Sequence, residues 1–174
     1  MEASDDRLEV ATRGEDAFVR VVGRGSFKAG PALKKFGVLA VDGGCRRVIL
    51  DMQSCVGMDS TFMGVLAGLV MLLKKQSGEM VMTNLSKKNR FLLETLGLGG
   101  LIRMEPAEGD EEKSKTDLTP LDTAVAWRET AEVMVAAHET LVTISPDNLS
   151  KFKDVLACLK EGLKRKDTAA GPTH

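Results

Sequence analysis

The chain has no tyrosine, one tryptophan and six phenylalanines, so the aromatic surface on which single-stranded nucleic acids stack is largely missing. Positive charge is not in excess either: 24 Lys and Arg stand against 25 Asp and Glu, a formal net charge of -1. Proteins that neutralise many phosphates need such an excess, and nucleic acid is therefore not an expected partner. Long hydrophobic runs are absent. The longest, Phe62 to Leu73, falls short of the roughly 18 apolar residues that span a bilayer, so no membrane insertion is expected. The opening Met-Glu-Ala-Ser-Asp-Asp-Arg is acidic and polar, unlike a secretory signal. Cysteine is limited to Cys45, Cys55 and Cys158, an odd number at spacings that fit neither a disulfide framework nor a zinc motif. Reduced thiols in a cytoplasmic protein are the expectation. The two histidines, His138 and His174, lie far apart. No metal site and no cofactor is expected from them.

What is present is a globular composition, 43% hydrophobic and 28% charged over 174 residues, and an alternation of strand-like and helix-like segments over residues 1–104. Ala17-Phe-Val-Arg-Val-Val22 has strand composition, and a weaker strand at Leu8 to Ala11 can pair with it through the turn Arg13-Gly-Glu-Asp16. A helix opens near Pro31, carries Leu33, Phe36 and Ala40 on one face, and stops at Gly43-Gly44. The strand Arg47-Val-Ile-Leu-Asp51 follows. Then come a loop from Met52 to Met58, a helix from Ser60 to Lys75 and the strand Glu79 to Thr83. A helix over Ser86 to Leu96 and a short strand at Leu101 to Met104 complete the region. Strands alternating with helices predict an α/β fold with parallel strand neighbours.

Residues 105–118 are acidic and nearly free of apolar side chains, which reads as a solvated linker. Over 119–166 two amphipathic helices are expected. Thr119-Pro120 has the chemistry of a helix start, with Ala124, Trp127, Ala131, Met134, His138 and Leu141 along the first seam. Ser145-Pro-Asp147 restarts the pattern for Leu149, Phe152, Leu156, Leu159 and Leu163. The pair predicts a helical hairpin. Its seams can pack on each other, on the α/β region, or on a second copy of the chain, which would give a homodimer. Residues 167–174 read as a polar tail. The helix from Phe62 to Leu73 is apolar on all sides, whereas a surface helix shows one apolar stripe. One side can face a sheet; the hairpin or a partner protein must cover the other.

Few residues offer chemistry. Gly23-Arg-Gly-Ser-Phe27 lacks the third glycine of a dinucleotide fingerprint and the following Gly-Lys-Ser/Thr of a phosphate loop; it reads as a turn into the first helix. His138 lies on the hairpin seam and reads as a satisfied packing residue. A pairing of Cys55 with His138 has only the residue types in its favour. No constellation of convergent titratable groups points to an enzyme, and no catalytic residue is assigned. The strongest local feature is Asp51 followed by Asp59-Ser60-Thr61 at a helix start. These residue types cap helices. The same place also tolerates an added phosphate, because the free N–H groups and the helix dipole favour an anion.

Taken in order, Val48-Ile-Leu-Asp-Met52, Met58-Asp-Ser-Thr-Phe-Met-Gly64, the apolar helix, Val81-Met-Thr83 and Phe91-Leu-Leu-Glu-Thr-Leu-Gly-Leu98 resemble the STAS domain of bacterial anti-sigma factor antagonists. The resemblance implies a mixed sheet of four to five strands with helices mainly on one face, to which the hairpin is added. It further implies a regulatory cycle. The unphosphorylated domain binds an anti-sigma factor with serine kinase activity and frees a sigma factor. The kinase phosphorylates the serine after the motif aspartate, and a serine phosphatase restores it. That serine is Ser60, with Thr61 as the second choice. Asp59, Thr61, Phe62 and Gly64 are implied to bind the partner. Many family members have glycine where this chain has Phe62, a bulky residue then expected at the rim of the site. STAS-like domains also serve as scaffold or assembly subunits of signalling or lipid-transport complexes, and the hairpin with the all-round apolar helix would suit such permanent association.

Overall fold

The computed structural model describes residues 5–106 and 117–169. Strand β1 (Arg7–Arg13) and strand β2 (Asp16–Gly25) form an antiparallel hairpin, with Arg13 paired to Asp16 at the turn. Helix α1 (Gly30–Asp42) follows with Pro31 in its first turn, where the missing N–H removes no helical hydrogen bond. Strand β3 (Arg47–Asp51) runs parallel to β2. Strand β4 (Cys55–Met58) comes next, then helix α2 (Ser60–Lys75) and strand β5 (Glu79–Thr83), which is parallel to β3. Helix α3 (Lys87–Thr95), capped by the Ser86 hydroxyl on the Asn89 amide, leads to strand β6 (Arg103–Glu105). Strand β7 (Thr119–Pro120) and helices α4 (Trp127–Ile144) and α5 (Asn148–Ala169) end the described chain.

The sheet order is β6-β5-β3-β2-β1-β7, with β4 paired to the far end of β2. It is therefore a mixed sheet, with parallel neighbours from β2 to β6 and antiparallel ones from β2 to β7. Alternation divides its side chains cleanly. Leu8, Val10, Ala17, Val19, Val21, Val48, Leu50, Met80 and Met82 belong to one core with the buried faces of α1, α2 and α4. The opposite face carries the cross-strand row Phe18–Ile49–Val81. It is flanked by ion pairs of Arg20 with Glu9 and Asp51, Arg47 with Asp16, and Arg103 with Glu79. The stems of such long charged side chains shield apolar surface while their heads stay wet. Helices on one face and a charged lattice on the other are thus the two sides of this sheet.

Several elements differ from the sequence expectation. The sheet has seven strands among the described residues, more than four to five, because Cys55–Met58 and Thr119–Pro120 join it. Cys55–Met58, expected within a loop, pairs with Gly23 to Gly25 of β2 across an irregularity between Gly23 and Arg24. Four residues including a glycine are too few to display a period. Thr119-Pro120 does not start a helix: Thr119 pairs with Val10 and Pro120 with Glu9. Helix α4 begins at Trp127, with Ala124 still outside it and its amide bonded to Asp122. Glu105 closes β6, and residues 107–116 of the expected acidic linker lie outside the described residues. The Gly23-Arg-Gly segment is the end of β2, not a turn. Gly25 is needed there for close approach, since a Cβ on it would fall 2.7 Å from Cδ1 of Phe62.

The all-round apolarity of α2 has a direct explanation. Its sheet side joins the core, and α4 lies across the other side. A Cβ added at Gly64 would sit 2.5 Å from the Ala137 carbonyl oxygen, so the two helices meet backbone to backbone at that point. Val133, Ala137 and Leu141 of α4 thereby enter the main core. Among the described residues no helix is long and apolar enough to cross a membrane.

Candidate functional site

Asp59 precedes α2 in an extended conformation, and its carboxylate divides its two oxygens between two segments. Oδ1 accepts the Phe62 amide at 2.9 Å and caps α2; Oδ2 accepts the Phe27 amide at 2.6 Å and ties down the turn after β2. The Asp59 amide in turn donates to the Gly25 carbonyl at 2.9 Å. Capping therefore falls to Asp59 alone. Ser60 is the first helical residue, and its hydroxyl is not consumed by the helix end. Of the first-turn amides that a helix leaves without an internal partner, those of Ser60 and Thr61 remain once Asp59 and Phe62 are accounted for.

The Ser60 hydroxyl is engaged from an unexpected direction. Its Oγ lies 2.9 Å from Nε2 of His138 on α4, and Nδ1 of the same ring lies 2.6 Å from the Met134 carbonyl oxygen. A carbonyl can only accept, so Nδ1 carries a hydrogen. In the neutral ring Nε2 is then the acceptor and the Ser60 hydroxyl donates to it. The imidazole is 2% exposed and meets the Phe152 ring of α5 edge-on, with centroids 4.9 Å apart. His138 is thus the satisfied packing residue expected of it, but one whose hydrogen-bond partner is the candidate site serine. A serine–imidazole pair can raise the nucleophilicity of a hydroxyl. Here, however, the nearby groove between α1, α2 and α4, of about 110 Å³, includes neither Ser60 nor His138 in its lining.

The other candidate residues separate. Thr61 is 2% exposed and Phe62 fully buried. Phe62 is not at the rim: it fills the space over Gly25 inside the core. Gly64 is buried beneath Ala137. Asp51 is occupied by Arg20, the Gln53 amide and Asn84, not by Ser60. Cys55 donates to the Gly57 carbonyl at 3.4 Å, and burial pushes its thiol pKa up, as it does for Cys45. Cys55 and His138 are therefore engaged with different partners. Cys158 is exposed. Among the described residues no group of three His, Cys, Asp or Glu is placed to hold a metal ion.

A sequence profile of the STAS domain matches residues 7–111, more than half of the chain. The chain belongs to the STAS-domain family. Solved structures agree on the fold. The anti-sigma factor antagonist SpoIIAA in its unphosphorylated form is 20% identical, with 62% of this chain and 94% of that chain covered and a TM-score of 0.55. An anti-sigma factor antagonist from Mycobacterium paratuberculosis is 19% identical over 67% of this chain and the whole of that one, with a TM-score of 0.53. The Bacillus cell fate determinant SpoIIAA in the phosphorylated form is 21% identical over 62% of this chain and 97% of that one, at 0.52. Ser60 lies inside the STAS match, whereas α4 and α5, which carry His138 and Phe152, lie beyond it.

Two further side chains fasten the helices beyond the STAS match to it, and no sequence motif announced them. Asn148, 1% exposed, donates to the Leu96 carbonyl at 3.0 Å and to the Leu141 carbonyl at 2.9 Å. Lys151 donates to the Thr95 carbonyl at 2.9 Å. Both reach the C-terminal end of α3, where unpaired helical carbonyls need donors.

Proposed function

We propose that this STAS protein is a phosphorylation-controlled, non-catalytic binding protein of the anti-sigma factor antagonist type, acting in the bacterial cytoplasm. Unphosphorylated, it binds an anti-sigma factor with serine kinase activity and so frees a sigma factor. Phosphorylated on Ser60, it lets that partner go, until a serine phosphatase removes the phosphate. The observation that carries this reading is the division of labour at the start of α2: Asp59 does the capping, and the Ser60 hydroxyl is left over. In the transfer, Ser60 Oγ bonds to the γ-phosphorus of ATP held by the kinase. The bond from that phosphorus to the β–γ bridging oxygen breaks, ADP leaves, and the hydroxyl proton is released. The product adds roughly -1.5 to -2 charges at a helix end that favours an anion, beside the Asp59 carboxylate. The fold survives while the site gains negative charge that a partner must meet. That a structural neighbour is known in both phosphorylated and unphosphorylated forms supports the same reading. Thr61, 2% exposed, is the poorer acceptor. Of the other motif residues, Asp59 shapes the partner surface directly, and Phe62 supports it from within the core.

A permanent scaffold role draws less support. The apolar side of α2 that would call for an outside subunit is covered by α4 of the same chain. The test is phosphopeptide mass spectrometry after incubation with ATP and each serine kinase of the source organism, together with a pull-down. One phosphate on Ser60, and a kinase retained by the unmodified chain but lost with Ser60→Asp, is the expected result. No phosphate on Ser60 or Thr61 with any of those kinases overturns the reading.

A further inference from the structure

We infer that helix α4 is a built-in cover for the Ser60 site: its docking on α2 and access of another protein to the Ser60 hydroxyl exclude one another. This rests on the reading of Ser60 as the switch residue and adds a layer of control to it. Three observations carry it. The half-buried Ser60 turns its hydroxyl toward α4, donating to a ring that is 2% exposed. One turn along α2, the backbone of α4 lies so close that even a methyl group at Gly64 has no room, so no second protein can use that face while α4 is on it. The elements doing the covering lie outside the STAS match, as an attachment to the domain.

The cover is built to come off as a unit. Arg128 pairs with Asp167 and Lys160 with Glu139, which clasp α4 to α5. The seam against α2 is close at Gly64 and Ala137 and opens beside Gly68 and Ala136 into a groove of about 110 Å³, walled also by Leu69 and Leu72. A seam of this kind forfeits part of the dispersion energy that a filled core collects. The principal polar fastenings to the domain are the single hydrogen bond of His138 and the latch of Asn148 and Lys151 on the end of α3. Release uncovers Val133, Ala137 and Leu141 of α4 together with the outer side of α2. A partner that takes the place of α4 therefore presents an apolar helix with a small residue opposite Gly64. Because only the open fraction can bind, the closed form lowers the partner's apparent affinity in proportion.

The cover can be tested without any partner. In full-length protein carrying Cys158→Ser, Ser60→Cys places a thiol at the site, while Cys45 and Cys55 stay buried. The rate of reaction with Ellman's reagent is compared with that of the same protein lacking Ser60→Cys. Ala137→Glu opens the interface from the α4 side and Gly64→Ala from the α2 side; far-UV circular dichroism shows whether each variant keeps its helices and sheet. The inference expects the new thiol to react roughly tenfold faster or more in either opened variant. A thiol that reacts as fast in the closed protein as in the opened ones overturns it. A second arm measures phosphate incorporation on Ser60 by the kinase found above. Faster incorporation in Ala137→Glu than in the unmodified chain is expected, and equal rates overturn the cover. Protection of the thiol with no phosphorylation in any variant retains the cover and sinks the kinase reading instead.

Discussion

Ser60 donates its hydroxyl hydrogen to His138 across 78 positions of sequence, at 2.9 Å. Neither residue is interchangeable in that bond. Ser60→Ala leaves Nε2 of a buried imidazole without a donor, a loss of about 1–3 kcal/mol. His138→Ala removes the same bond and also the edge contact with Phe152, for a similar or larger loss. Urea unfolding of the two single variants and the double variant should give a double loss smaller than the sum, with a coupling of about 0.5–3 kcal/mol. Strict additivity would mean that the bond contributes nothing. The same cycle carries a warning for function. Ser60→Ala removes the phosphate acceptor and loosens α4 at once, so gain of partner binding in that variant has two sources.

The latch at Asn148 predicts a local rather than a global effect. Asn148→Ala strands the Leu96 carbonyl, left to find water or remain unpaired, and takes one of two donors from the Leu141 carbonyl, which keeps the Ser145 amide, at a cost of about 1–3 kcal/mol. Native-state hydrogen exchange should accelerate first in 127–169 while the amides of β2, β3 and β5 keep their protection, because the central sheet does not depend on the latch. Simultaneous acceleration of β3 and α4 would show that the helices and the sheet open as one unit.

Much of this arrangement is legible in the sequence. The bounds of β3, α2 and β5 coincide with those expected, since each has a strong local period and a clear stop. The Asp-Ser-Thr motif also falls at the helix start. What could not be read depends on distant contacts. Cys55–Met58 becomes a strand only because the end of β2, Gly23 to Gly25, lies alongside it, and Thr119-Pro120 because β1 offers a free edge. Phe62 looked like a rim residue because the chain around it is a surface motif; the Gly25 that receives it lies 37 positions earlier (62 − 25). The His138 seam was visible as a period of three and four, but no period says which serine faces the ring. The buried side of α4 also rests on Val133 and Ala137, which the chosen seam passed over.

The fit of Phe62 over Gly25 predicts a size-exchange pair. Gly25→Ala pushes a methyl to within 2.7–3.0 Å of the ring and should cost about 1–3 kcal/mol through overpacking. Phe62→Ala empties a fully buried site and should cost about 3–5 kcal/mol. Combining Gly25→Ala with Phe62→Ala should cost less than the two separate losses added together, since removing the ring yields the room the methyl needs. Melting temperatures and urea midpoints of the four proteins check this. A fully additive combination would place the strain of Gly25→Ala elsewhere, in the backbone at the end of β2.

The clasp between α4 and α5 predicts an acid-sensitive fluorescence signal. The Arg128 guanidinium, hydrogen-bonded to Asp167, holds that carboxyl below the ordinary carboxylate range. A carboxyl whose pKa is lower in the folded state favours that state above its unfolded pKa, and loses the contribution as pH falls through the folded value. The contribution should therefore be intact at neutral pH and fade below about pH 4. Both partners are exposed, so the effect is small and salt-screened. Trp127, the sole tryptophan, sits one residue before Arg128 under the Lys166 ammonium, which lies 4.0 Å from its ring centroid. Its emission reports this end of the hairpin. Acidification should shift that emission before the far-UV circular dichroism of the sheet changes, and Asp167→Asn should reproduce the shift at neutral pH. In Asp167→Asn the early acid step should vanish. An emission change that tracks global unfolding in both proteins would show that α4 and α5 are held together by their apolar seam alone.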